Sequence, residues 1–187
     1  MKKPYVLATY HSVTLGDEEP ICTCTAMLEA LDNFPEMQVI LTYPNADDGG
    51  RKIIALLEEY AAKQPVRVLV IPSLGQVRYL SAAKHASAII GNSSSGIIEI
   101  PSLDVPTVNI GVRQKGRLSA KSVINCNAER SSIVSAIDIA LKRSYKTLDE
   151  NIVNPYGEGD ASQKVISMLK NLDFNPVKTF YDLKVVD

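Results

Sequence analysis

The chain has 187 residues, of which 45% are hydrophobic and 22% charged, and its formal net charge is −1. That size and balance suit one ordinary globular domain with a sizeable core, and exclude a general basic field for nucleic acid or an anionic membrane, so any anion site must be local. No apolar run approaches the roughly 20 residues that span a bilayer.

The apolar run after Met1-Lys2-Lys3-Pro4 is only Tyr5 to Ala8, too short for the core of a signal peptide. Tyr5–Thr9 reads as a buried strand. Glu19-Pro20 opens a helical stretch through Met27, Leu28 and Leu31 that ends near Asn33-Phe34-Pro35. Gln38–Tyr43 is a second strand, stopped by Pro44-Asn45. Asp47-Asp48-Gly49-Gly50 leads into a helix over Arg51–Lys63, with Ile53, Ile54, Leu57 and Tyr60 at helical spacing. Arg67–Ile71 is a third strand. Gly75–His85 is a helix with Val77, Leu80 and Ala83 expected inward, and Ala88–Gly91 is a fourth strand. A serine turn and a short helix ending before Pro101 follow. Pro106–Ile110 and Ser122–Cys126 are strands five and six. Glu129–Arg143 is a helix with Ile133, Ile137 and Leu141 on one face. Asp160–Leu172 is the last helix, and a tail holding Phe180, Tyr181 and Leu183 follows it.

Strands apolar on both faces, alternating with helices, predict an α/β fold: a doubly wound parallel sheet covered on both sides. No internal repeat, low-complexity segment or domain boundary interrupts it. Ligands of such sheets bind outside the carboxyl ends of the strands. That rule collects Tyr10-His11-Ser12, Tyr43-Pro44-Asn45, Pro72-Ser73-Leu74-Gly75, Asn92 to Gly96 and Gly111-Val112-Arg113 on one rim.

Gly91-Asn92-Ser93-Ser94-Ser95-Gly96 is the strongest signal on that rim. It reads as strand, tight turn and helix start, where free N–H groups and hydroxyls suit a phosphate and Gly96 lets the backbone come close. An exposed anion gains only about 0.3–1 kcal/mol from a helix dipole, so other donors must contribute. Simple N-capping by Ser93 or Ser94 is the ligand-free alternative. Glu99 carries two acceptors suited to vicinal hydroxyls such as those of a ribose, or is a surface carboxylate. Arg113 can neutralise phosphate bidentately. It belongs to Arg113-Gln114-Lys115-Gly116-Arg117, which otherwise reads as a solvated basic loop. His11 can donate to phosphate or act as an acid–base group, or be structural. No nucleophile–base set, P-loop or G-x-G-x-x-G is present. Cys22 and Cys24 have no second ligand pair, so no metal is expected.

These segments resemble a known family. Gly91-Asn92-Ser93-Ser94-Ser95-Gly96-Ile97-Ile98-Glu99, with Val105 to Arg117, is similar to the C-terminal half of the UDP-N-acetylglucosamine 2-epimerases. Thr9-Tyr10-His11-Ser12-Val13-Thr14 and Lys178-Thr179-Phe180-Tyr181-Asp182-Leu183 resemble the start and end of that half. Asn92-Ser93-Ser94-Ser95-Gly96 in place of Asp-Ser-Gly-Gly resembles the hydrolysing branch, which makes N-acetylmannosamine and UDP for sialic-acid-type sugars.

The resemblance implies one Rossmann-like half of a GT-B (UDP-glycosyltransferase/glycogen phosphorylase-like) arrangement. It implies UDP or UDP-GlcNAc as ligand, with Ser93 and Ser94 on the diphosphate and Glu99 on the ribose. His11 and Arg113 would meet the phosphate charge, and the backbone near Leu74 would face the uracil. No cofactor is implied. The acid–base carboxylates of the family lie in an N-terminal domain, so 1–187 is expected to be a single UDP-binding domain with a tail over 173–187. Alone it would bind UDP weakly and not epimerise. A homodimer is possible by the same resemblance, and a cytoplasmic location is expected. The other readings are a stand-alone UDP-sugar binding module and the nucleotide-binding half of a GT-B glycosyltransferase.

Overall fold

A computed structural model describes residues 3–13, 20–142 and 153–173. The chain divides into two compact units, Met1–Tyr156 and Gly157–Asp187.

The first unit is built on β1 (Tyr5–Thr9), β2 (Gln38–Thr42), β3 (Val68–Ile71), β4 (Ala88–Gly91), β5 (Thr107–Ile110) and β6 (Val123–Cys126). They form one six-stranded sheet in the order β3-β2-β1-β4-β5-β6, and every pairing is parallel. Parallel neighbours need crossovers, and helices α1 (Pro20–Leu31), α2 (Gly50–Lys63) and α3 (Gly75–His85) supply the first three, while α5 (Arg130–Lys142) follows β6. Between β4 and β5 run a short helix α4 (Ser95–Ile98) and a 3₁₀ turn (Ile100–Leu103). In the second unit, α6 (Ala161–Asn171) carries Val165, Met168 and Leu169 at helical spacing.

Alternation along the strands divides the core in two. Val6, Ala8, Val39, Leu41, Ile90 and Val108 join one cluster with residues of α1, α2 and α5. Leu7, Ile40 and Ile89 point the other way, into a smaller cluster with Ala83, Ala86 and Ile100. Both faces are therefore buried, which is why these strands read as continuous apolar runs. The chain winds outward from β1 to β3, then returns to β4 beside β1. The strand order reverses between β1 and β4, and a crevice opens at such a reversal.

Two sequence expectations are corrected. Val77 is 82% exposed, not inward. Ala83 is buried as expected, but the rest of the α3 stripe runs through Tyr79, Ala82 and the following Ala86 rather than Val77 and Leu80. The helix after the serine turn ends at Ile98, before Pro101, as expected. A 3₁₀ turn carries the chain through Pro101, and Glu99 sits at the junction rather than inside a helix. Gly96 also serves packing. A Cβ there would lie 2.6 Å from Thr107 Cγ2, and the Thr107 hydroxyl donates to the Gly96 carbonyl at 2.8 Å. Several β boundaries also shift by one residue, as strand ends do. Glu19, Arg143 and the tail with Phe180, Tyr181 and Leu183 lie outside the described residues.

Gly91 is fixed more strictly. Its φ is +133°, and a Cβ would lie 1.9 Å from the Thr9 carbonyl oxygen. Only glycine lets β4 end flush against β1.

The Gly96 contact makes a prediction. Gly96→Ala should destabilise the protein by about 1–3 kcal/mol through overpacking. Thr107→Ser in the same chain removes Cγ2, keeps the hydroxyl bond and should recover most of the loss. Urea unfolding of the single and double variants checks both.

Candidate functional site

The site begins with one carboxamide at the strand reversal. Asn92 follows β4 directly and is 1% exposed. Its Oδ1 accepts the His11 N–H at 2.7 Å, and its Nδ2 donates to the His11 carbonyl at 2.8 Å. These partners fix the amide orientation, because a main-chain N–H needs the oxygen and a carbonyl needs the nitrogen. The side chain thus extends the β1–β4 pairing by one rung past the strands. The Asn92 main-chain carbonyl accepts Gln114 Nε2 at 2.8 Å and Arg113 Nη1 at 3.1 Å. One residue therefore gathers the ends of β1 and β4 and the loop after β5.

His11 is 7% exposed, and its Nδ1 accepts the Asn45 main-chain N–H at 3.0 Å. The ring proton of the neutral form then sits on Nε2. The His11 pKa falls from 6.5 to about 4, through burial first and the Arg113 charge second, with Asp47 opposing the shift. His11 is consequently neutral near pH 7. In that state its Nε2–H is a neutral donor, and the neighbouring cation is Arg113.

The serine turn follows Asn92. α4 has four residues, with Ser94 at its N-cap and no side-chain cap hydrogen bond. One turn has no long column of aligned dipoles, so what this turn offers is individual N–H groups and hydroxyls rather than a macrodipole. Ser93, Ser94 and Ser95 are partly exposed. Next to the turn lies a cavity of about 430 Å³ lined by Tyr43, Ser73, Leu74, Tyr79, Ser95 and Glu99, among others. Its edge is the opening of α3, where the Gly75 N–H donates to Ser73 Oγ at 3.1 Å. Burial raises the Tyr79 phenol pKa, and the Glu99 charge adds to it while the nearby Ser95 hydroxyl opposes it. Neither the Tyr79 nor the Ser95 oxygen has a partner in hydrogen-bonding geometry.

The sequence-predicted residues thus fall into two adjoining groups. His11 and Arg113 meet at Asn92, and Leu74 and Glu99 share the cavity. Ser93 and Ser94 are the chain between Asn92 and the cavity-lining Ser95. Lys115 and Arg117 do not join them. They line a separate cavity of about 350 Å³ at the ends of β5 and β6, with Asn109 and Asn125. Cys22 is exposed and Cys24 buried on α1. Among the described residues no group of three or more His, Cys, Asp or Glu side chains is arranged to hold a metal. Among them, also, no helix is long and apolar enough to cross a membrane.

With this geometry in hand, residues 1–170 match the UDP-N-acetylglucosamine 2-epimerase family. The chain belongs to that family. It is 36% identical over 98% of its length to the GDP/UDP-N,N'-diacetylbacillosamine 2-epimerase (hydrolyzing) of Campylobacter jejuni, covering 48% of that protein. It is 32% identical over 97% of its length to the polysialic acid biosynthesis protein P7 of Escherichia coli, covering 47% of it. The fold is similar to that of S. aureus MnaA in complex with UDP, with a TM-score of 0.68 at 17% identity, over 90% of this chain and 45% of that one. The chain thus spans about half the length of the curated relatives it matches. Its architecture is the Rossmann-like C-terminal half of the GT-B arrangement in this epimerase family.

Within this family member, sequence reading missed the residues that hold the site rather than those that face it. Asn92, Gln114 and the Asn45 main chain had no assigned role. The available signal was position: each sits directly after a strand or in the first loop turn beyond one. Tyr79 and Ser95 were also missed, because nothing local in sequence brings α3 to the serine turn.

The His11 environment sets a pH dependence. The folded pKa is depressed, so its stabilising contribution is present above about 6.5 and is lost as pH falls toward about 4. At 1.36 kcal/mol per pKa unit, the whole contribution is about 3 kcal/mol. His11→Asn keeps an acceptor near the Nδ1 position but does not titrate. Wild type should lose about 2 kcal/mol more than this variant between pH 7 and pH 4.5 in urea unfolding. Equal losses would mean that His11 titrates normally.

Proposed function

We propose that the chain is the UDP-binding half of a hydrolysing UDP-N-acetylglucosamine 2-epimerase, with residues 1–187 as one nucleotide-binding domain and 173–187 as its tail. The observation that carries this reading is the convergence at Asn92. A buried neutral His11, the Arg113 guanidinium and the serine turn meet there, beside a cavity that holds Leu74 and Glu99. In this assignment Ser93 and Ser94 hold the diphosphate, and Arg113 pairs with its charge. His11 Nε2–H donates to it. Glu99 accepts from the ribose hydroxyls, and the main chain near Leu74 faces the uracil.

These residues act on the leaving group. As the bond from the anomeric carbon to UDP breaks, negative charge grows on the departing phosphate oxygen. A fixed cation and fixed donors there are worth more in the transition state than in the ground state. Loss of UDP and of the C2 proton gives a glycal, and addition of water with inverted C2 stereochemistry gives N-acetylmannosamine. The groups that move the protons belong to the other half of the enzyme. The name of the C. jejuni relative supports the hydrolysing branch, and the polysialic acid name of the E. coli relative supports a place in sialic-acid-type sugar synthesis. Cytoplasmic location and a homodimer belong to the same reading.

Titration calorimetry with UDP tests the assignment. The 187-residue chain should bind UDP without turning over UDP-GlcNAc. Ser94→Ala, Glu99→Ala and Arg113→Ala each remove a hydrogen bond to a charged or buried group. Each should weaken binding about 10- to 100-fold. Identical affinity in wild type and all three variants means that the site lies elsewhere.

A further inference from the structure

The stretch that carries Glu99 is short and interrupted. α4 is a single turn, and the 3₁₀ turn after it has Pro101 as its second residue. Proline has no N–H, so the Ile98 carbonyl has no donor three residues on. The donor four residues on is also spent, because the Ser102 N–H goes to the Glu99 carbonyl at 3.2 Å. The helical ladder therefore leaves the Ile98 carbonyl open at the peptide that joins Ile98 to Glu99.

A residue 56 positions away closes it. Asn154 Nδ2 donates to the Ile98 carbonyl at 2.9 Å and to Ser102 Oγ at 2.7 Å. The Asn154 side chain is itself held, because its Oδ1 accepts the Tyr156 N–H at 3.0 Å. The Tyr156 hydroxyl then donates to the Leu118 carbonyl at 3.0 Å, in the loop that also carries Arg113. Residues 154–156 thus form a strap with one end on the Glu99 segment and the other on the basic loop.

We propose that Asn154 is a positioning residue for nucleotide binding: its amide replaces the donor that Pro101 removes and so fixes the peptide from which Glu99 projects. The functional part of this inference rests on the assignment of Glu99 to the ribose. Asn154 does not line the cavity, and its effect passes through the Ile98–Glu99 peptide.

Two variants isolate the donor. Asn154→Asp keeps the acceptor for the Tyr156 N–H, and Asn154→Ala adds no charge; both lose the bond to Ile98. Hydrogen exchange of the 187-residue chain, without nucleotide, should show the Ile98, Glu99 and Ser102 amides exchanging about tenfold faster in both variants, with β1 and β4 unchanged. Calorimetry with UDP and 2′-deoxy-UDP reads the consequence. The preference for UDP should fall by about tenfold in both variants, while inorganic pyrophosphate binds as in wild type. Unchanged exchange overturns the clasp. Faster exchange with an unchanged UDP preference, or an equal loss for UDP and 2′-deoxy-UDP, overturns the positioning role. If wild type itself does not distinguish the two nucleotides, the ribose assignment of Glu99 fails and the positioning role fails with it; the exchange data still decide the clasp.

Discussion

The two hydrogen bonds between the Asn92 carboxamide and the His11 main chain are the interaction on which the rim depends. Past Thr9 and Gly91 the strands no longer pair, and a crevice must open where the sheet order reverses. An opening crevice leaves main-chain groups without partners, and burying them unpaired is costly. Asn92 satisfies His11 on both sides and still leaves its own carbonyl for Gln114 and Arg113. The crevice is therefore closed at its root and open above it. That is what a ligand site at a switch point requires.

The same linkage explains the state of His11. Its ring is buried under Asn45, and Arg113 is drawn to the same carbonyl cluster. Two cations in so small a volume would repel, and burial already disfavours charge on the imidazole. The site resolves this with one permanent cation and one neutral donor. In the proposed assignment an arriving phosphate would offset both effects that hold the imidazole neutral. Proton affinity and ligand affinity at His11 are then linked.

Much of the fold was legible because each of the first four strands is a run of apolar residues bounded by Pro, Gly, Asn or Ser, and parallel sheets bury both strand faces. The rim residues were legible for the same reason, since strand ends mark the binding edge. What escaped was set by distance in sequence. The phase of α3 depends on which face meets Ile89 and Ile100, so Val77 could not be placed from periodicity alone. The packing of Gly96 against Thr107, a neighbour on a later strand, has no local signal in the sequence. The proton state of His11 depends on Asn45 and Arg113, residues 34 and 102 positions away.

Pro101 has a consequence for how the boundaries of this domain are drawn. By deleting one donor, it makes a two-turn segment near the middle of the chain incomplete without Asn154. A protein cut after α5 would retain the whole sheet and all six residues assigned to the nucleotide. It would nevertheless lack the group that sets the angle of one of them. By the proposed role of Asn154, the nucleotide-binding unit is longer than its list of contacts and extends past β6 to at least residue 154.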